Sequence, residues 1–94
     1  GLPDPDESYL VERFEWDVAK AEANLAKGVT FEEAATCWDR DADLERPANR
    51  VGGEPRWIRY GWSCQGRRLA VLFTRTREGA VRIISARVSP RGMI

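Results

Sequence analysis

Hydrophobic positions along this chain follow two different periods. Residues 18–38 repeat at helical spacing, and residues 56–87 read as strands. Val11, Phe14 and Trp16 make Val11–Trp16 β-prone, and a short edge strand is expected there. Asp17 then sits where an N-cap belongs, ahead of an Ala-, Glu-, Leu- and Lys-rich stretch that predicts a helix over Val18–Lys27, with Gly28 just past its end. Val18, Ala21 and Leu25 share one face of that helix, and Lys20, Asn24 and Lys27 form a stripe on another. The stripe suits either a solvated face or a phosphate contact. Thr30-Phe31-Glu32-Glu33 has the form of a capping box and opens a second helix over Phe31–Trp38, with Phe31, Ala34, Ala35 and Trp38 apolar. The connection between the helices is so short that they must turn sharply against each other.

The remainder predicts strands. A short one is expected near Ala42–Arg46, followed by a long turn over Pro47–Pro55 made pliable by Gly52-Gly53. Arg56–Cys64 alternates, with Ile58, Tyr60, Trp62 and Cys64 on one face and Trp57, Arg59 and Ser63 on the other. Turns at Gln65-Gly66-Arg67 and Arg77-Glu78-Gly79 separate the strands Arg68–Arg75 and Ala80–Arg87, which completes an antiparallel meander. Val88–Ile94, interrupted by Pro90 and Gly92, reads as a short irregular tail. The expected fold is α+β in the order β-α-α-β-β-β-β, two N-terminal helices packed on one face of an antiparallel β-sheet.

Length and composition narrow the picture. Ninety-four residues suffice for one core. Residues 1–10, acidic and holding two prolines, are expected to be a flexible tail, and residues 11–94 a single domain. No stretch approaches the roughly 18–20 apolar residues of a membrane span and no signal peptide is seen, so a cytoplasmic protein is expected. Cys37 and Cys64 form no CxxC pair and read as buried small hydrophobes. The alternate acids of Asp39-Arg40-Asp41-Ala42-Asp43 resemble the start of a calcium loop. The glycine position there is Leu44 and the bidentate glutamate position is Arg50, so no metal site is expected. The chain has no histidine, which removes the commonest general base and the Ser-His, Cys-His and His-zinc chemistries.

Charge changes the picture most. The formal net charge is zero, yet residues 1–45 hold 13 acids and 4 bases while residues 46–94 hold 2 acids and 11 bases. Thirteen of the 15 bases are arginine, whose planar fork of donors suits phosphate. An arginine-rich half with few acids suits a phosphate-bearing or acidic partner, or a solvated β surface facing its own acidic half. Arg59, Arg75, Arg82 and Arg87 lie within or at the ends of predicted strands, and Arg56, Arg67, Arg68 and Arg77 at strand ends or turns. Trp57, Tyr60 and Trp62 either offer stacking surfaces for bases or pack a core. Should these residues carry a reaction, phosphodiester cleavage in RNA suits them best, because the 2′-hydroxyl supplies the nucleophile and arginine offsets the developing charge. Proton transfer then falls to Glu54, Glu78 or Tyr60.

Several segments carry a resemblance. Phe14-Glu15-Trp16-Asp17, Ala19-Lys20, Asn24-Leu25 and Lys27-Gly28-Val29-Thr30-Phe31-Glu32-Glu33-Ala34 resemble the opening of the BrnT family of toxins. Arg56-Trp57-Ile58, Gly61, Val71-Leu72-Phe73-Thr74 and Arg82-Ile83-Ile84-Ser85-Ala86-Arg87 follow in the family's order. The resemblance implies a RelE-like fold and a metal-independent ribonuclease of a type II toxin–antitoxin module. It would need no cofactor and would arrest growth by cleaving RNA. It also implies a BrnA-like antitoxin, possession of operator DNA only through the toxin–antitoxin complex, and a heterotetramer with the antitoxin. Within that reading Arg59, Arg75 and Arg87 are the expected catalytic contacts, and Lys20, Lys27, Arg56 and Arg82 the expected RNA-binding residues. The family pattern has Lys-His-Gly where this chain has Lys27-Gly28, and a terminal basic helix where this chain ends Ser89-Pro90-Arg91-Gly92-Met93-Ile94. These departures suit two alternatives: a catalytically weakened protein that only binds the antitoxin as co-repressor, or a plain nucleic-acid-binding module.

Overall fold

The structure, a computed structural model, describes residues 12–89. The expected tail over 1–10 and the end of the chain from Pro90 lie outside the described residues. The elements are β1 (Phe14–Trp16), α1 (Val18–Asn24) continued by a 3₁₀ turn (Leu25–Lys27), α2 (Phe31–Ala35) continued by a 3₁₀ turn (Thr36–Trp38), β2 (Leu44–Val51), β3 (Glu54–Trp62), β4 (Arg68–Arg75) and β5 (Val81–Val88). The order is the expected one.

Local chemistry accounts for both helix starts. The Asp17 carboxylate accepts from the Lys20 amide at 3.2 Å, and the Thr30 hydroxyl oxygen accepts from the Glu33 amide at 3.0 Å. The reciprocal half of the expected capping box is replaced by another contact, for the Glu33 carboxylate turns inward to Arg67 and Ser63. Gly28, at φ 76°, ends the first helical segment in the left-handed region that a side chain would disfavour.

Five strands form one sheet in the order β1-β5-β4-β3-β2. β2 through β5 are antiparallel, while β1 runs parallel to β5. The sheet is therefore mixed, because only strands joined by tight hairpins are forced antiparallel. The helices carry the chain from β1 at one edge to β2 at the other. The long turn expected over Pro47–Pro55 is mostly strand. Gly52 and Gly53, at φ 58° and 80°, make a two-residue hairpin that leaves Val51 opposite Glu54. Pro47 is tolerated inside β2 because β2 is an edge strand.

Both helices lie on one face of the sheet. Val29, Phe31, Ala34 and Cys37 bury against Leu69, Val71, Phe73, Val81, Ile83 and Ala86. Aromatic rings close the layer: Trp38 meets Phe73 edge-on at 5.0 Å, Trp16 meets Phe31 at 5.8 Å, and Trp57 stacks on Phe73 at 5.9 Å. Burial pushes the Cys37 thiol up to about 11, in keeping with a core position against the Gly61 carbonyl.

The expected apolar face of α1 is only partly the buried one, for Ala21 packs against the core while its two larger neighbours on that face do not. Val18 and Leu25 are 68% and 56% exposed, whereas Asn24, from the polar stripe, is buried. Its amide donates to the Val29 and Ala86 carbonyls, both at 2.9 Å, and accepts from the Ala86 amide at 3.1 Å. β1 pairs only with Val81–Ile83, so Asn24 supplies Ala86 with the partners that a longer edge strand would have given.

Candidate functional site

The helices cover one side of the sheet, and no helix among the described residues covers the other. Register builds that open face. Arg87, Ala70, Tyr60 and Leu44 form one row across β5, β4, β3 and β2. Ser85, Leu72, Ile58 and Arg46 form the next, and Arg82 lies opposite Thr74 in a third. Arg68 stands opposite Trp62, and Arg56 is two positions from Ile58 on the same face.

Side-chain size gives this face its shape. The β4 positions Ala70, Leu72 and Thr74 are short or low and form a floor. Arg82 and Arg87 stand on one flank, with Arg56, Tyr60 and Trp62 on the other. The flanking strands are two inter-strand spacings apart, about 9–10 Å. Toward β2 the face opens into a groove of about 460 Å³ bounded by Arg46, Ala48, Arg56, Ile58 and Leu72. The Nε of Arg56 is buried there without a hydrogen-bond partner among the described residues.

Tyr60 is the centre of a cationic cluster. Arg46 donates to its hydroxyl oxygen at 3.1 Å, and the guanidinium carbons of Arg46 and Arg68 lie 5.7 and 5.1 Å from its ring centroid. Its own O–H proton remains available to a ligand. Arg68 is fixed in turn by Asp43 at 2.9 Å and by the Ser89 hydroxyl at 2.8 Å. Arg82 pairs with Glu15 at 2.8 Å, both half exposed, an interaction that a phosphate can displace at small cost. Arg87 is exposed and makes no ion pair among the described residues.

The structure does not bring the three expected catalytic arginines together. Arg59 points to the helix-bearing side, where its side chain is only 13% exposed. It donates to the Arg40 carbonyl at 2.8 Å, the Cys37 carbonyl at 3.4 Å and Glu45 at 2.9 Å, and lies 4.8 Å from the Trp38 ring centroid. These contacts cap the end of the second helical segment. Arg75 follows Phe73 on the same side and grips Glu12 through both terminal nitrogens at 3.0 Å, holding the approach to β1. The Glu12 carboxylate keeps the Arg75 guanidinium above its ordinary value. Of the three, Arg87 alone faces the open side.

Lys20 and Lys27 are exposed and bracket a hollow of about 240 Å³ with Ile84 and Ser85, at the stretch of β5 that β1 leaves unpaired. Of the expected proton-transfer candidates, Tyr60 reaches the arginine face, while Glu54 and Glu78 sit at hairpin ends. Sequence reasoning passed over Arg46 and placed Arg68 only among the arginines at strand ends and turns. Their signal was the alternation that puts both beside Tyr60, but Arg46 had been assigned to the end of a shorter strand. Trp57 packs in the core. No group of three or more metal-ligating side chains occurs among the described residues. No helix among them is long and apolar enough to cross a membrane.

The fold is thus a half-covered α+β sheet whose bare face is lined with arginine and tyrosine. The model of the family described as ribonuclease toxin BrnT of type II toxin–antitoxin systems matches residues 16–91, and the chain belongs to that family. A solved structure of the Brucella abortus ribonuclease toxin BrnT has the same fold, with a TM-score of 0.62 and 20% identity, covering 86% of this chain and 100% of that one. Among curated proteins none matches. Membership makes this chain in general a type II ribonuclease toxin, with RNA as its target and an antitoxin as its partner.

Proposed function

We propose that the open sheet face is the RNA site and that the protein cleaves RNA without a metal, using the 2′-hydroxyl as nucleophile. The observation that carries this reading is the position of Arg87. It is exposed, outside every ion pair of the described residues, and level with Tyr60 across the low floor of Ala70. A phosphodiester lying over Ala70 is in reach of a fork of donors from one flank and a phenol from the other. Arg87 offsets the charge that grows on the phosphoryl oxygens as the 2′-oxygen attacks phosphorus and the P–O5′ bond breaks. Tyr60 is the proton-transfer group, its proton passing to the leaving 5′-oxygen, while the 2′-hydroxyl gives up its own proton to solvent water, from which Tyr60 is reprotonated. The products are a 2′,3′-cyclic phosphate and a free 5′-hydroxyl.

Arg82 and Arg56 bind neighbouring phosphates from the two flanks, and Lys20 and Lys27 extend the path past the unpaired part of β5. Arg59 and Arg75 act on the fold. A BrnA-like antitoxin neutralises the protein in the cytoplasm, in a heterotetramer that contacts operator DNA through the antitoxin. The absence of histidine favours a second reading, a silent member that binds antitoxin as co-repressor.

Incubation of the purified protein with RNA in EDTA separates them. Cleavage that falls at least 100-fold in both Arg87→Ala and Tyr60→Phe, with unchanged melting, supports the site. Full activity in Arg87→Ala overturns it, and no turnover by folded wild-type protein moves the assignment to the silent member.

A further inference from the structure

The helix-bearing side carries a second surface, of opposite chemistry. Trp16, Ala21 and the buried ring of Phe31 line a hollow of about 290 Å³, and Val18 and Leu25 rise beside it. Val18 of α1 and Leu25 of the following 3₁₀ turn, at i and i+7 and each more than half exposed, adjoin the hollow and form one continuous apolar patch with it. Glu22 and Glu32 stand on the rim, and neither makes an ion pair among the described residues. Every other acid of α1 and α2 is engaged: Asp17 caps α1, and Glu33 binds Arg67 and Ser63.

From this juxtaposition we propose that the groove between α1 and α2 seats a basic amphipathic segment of the antitoxin, its apolar side chains on Val18, Leu25 and Trp16 and its Lys or Arg residues on Glu22 and Glu32. The proposal rests on the toxin–antitoxin reading. It adds the docking place, on the side of the sheet away from Tyr60 and Arg87.

Charge selects this occupant. RNA would meet two carboxylates. A second copy docked symmetrically would bring Glu22 and Glu32 against their own kind. The chain's leading residues 1–11 carry three acids and no base, so they are repelled in the same way. A polypeptide with apolar residues at helical spacing and cationic flanks satisfies both the floor and the rim.

Titration calorimetry of the purified protein with its antitoxin tests this. Val18→Glu combined with Leu25→Glu should weaken binding about 100-fold or more. Glu22→Lys with Glu32→Lys should weaken it about tenfold. All four sites are exposed, so melting should hold, and RNA cleavage by the free variants should equal that of wild type. Antitoxin affinity unchanged in both double variants overturns the docking site while leaving the toxin reading intact. A change in self-association of the protein alone, seen by sedimentation, assigns the groove to a second copy and overturns it too. Failure of the wild-type protein to bind the antitoxin overturns both readings.

Discussion

Glu33→Gln offers the most searching test of how the two layers are joined. Glu33 lies in the first turn of α2 with its side chain 3% exposed. It accepts from the Ser63 hydroxyl at 2.6 Å, from Arg67 Nε at 3.0 Å and from a terminal nitrogen of Arg67, which also donates to the Gly28 carbonyl. One carboxylate thereby ties the inter-helix turn to the β3–β4 turn. Hydrogen bonds to a charged group contribute about 1.5–3 kcal/mol each, but Arg67 is 35% exposed and water recovers part of its share. Gln keeps the shape and one acceptor. A net loss of about 2 kcal/mol is expected, which lowers the melting temperature by roughly 8–16 °C in a domain of this size.

The same group sets a pH signature. The Arg67 hydrogen bonds hold the Glu33 carboxyl below its ordinary value near 4.5, against burial, which pushes the other way, and with help from Ser63. A lowered carboxyl stabilises the fold above its unfolded value and loses that contribution as pH falls through the folded one. The gap between wild type and variant should therefore be full at about pH 7, narrow below about pH 4.5 and close in stronger acid. Urea melts of both proteins across this range measure it. Equal stability at neutral pH, or a gap indifferent to acid, would refute the reasoning.

Asn24→Ala strips Ala86 and Val29 of three buried hydrogen bonds and should cost about 2–4 kcal/mol by denaturant unfolding, more than an exposed polar-stripe residue could. Arg59→Lys keeps the charge but loses the planar contact with Trp38 and part of the fork on Arg40 and Cys37; a loss of about 1–2 kcal/mol is expected by thermal melting. A thiol reagent at neutral pH should modify Cys64 promptly and Cys37 only after unfolding, since Cys37 is buried and its thiol is pushed up to about 11. RNA affinity should fall with salt, and Arg87→Ala should flatten the log–log slope by about 0.7, the value of one single-strand phosphate contact.

Much of the fold was legible in the sequence because caps, turns and period-2 alternation act locally. Asp17, Thr30, Gly28 and the Gly-centred turns before β4 and β5 place the elements nearly to the residue. What failed was decided at a distance. The helical pattern of Val18, Ala21 and Leu25 names an apolar face, but the short β1 leaves Ala86 in need of partners, and that need draws Asn24 inward. Pro47 argues against a strand unless the strand is known to be an edge, which only the sheet order reveals. The site was half legible for a similar reason. Alternation separates Tyr60 from Arg59, yet nothing in it says which side the helices cover. Arg59 and Arg87 therefore look equivalent in sequence and lie on opposite sides of the sheet.

Backbone NMR shifts on titration with an oligonucleotide bearing 2′-deoxyribose at the cleaved position test the central claim most directly, because such a ligand binds without being consumed. The open-face account expects the perturbed amides to fall on β3, β4 and β5 around Tyr60, Ala70, Ser85 and Arg87, reaching Lys20 and Lys27 at most, with Phe31, Glu32 and Ala34 unmoved. Perturbations centred on α1 and α2, with the arginine face silent, would contradict it.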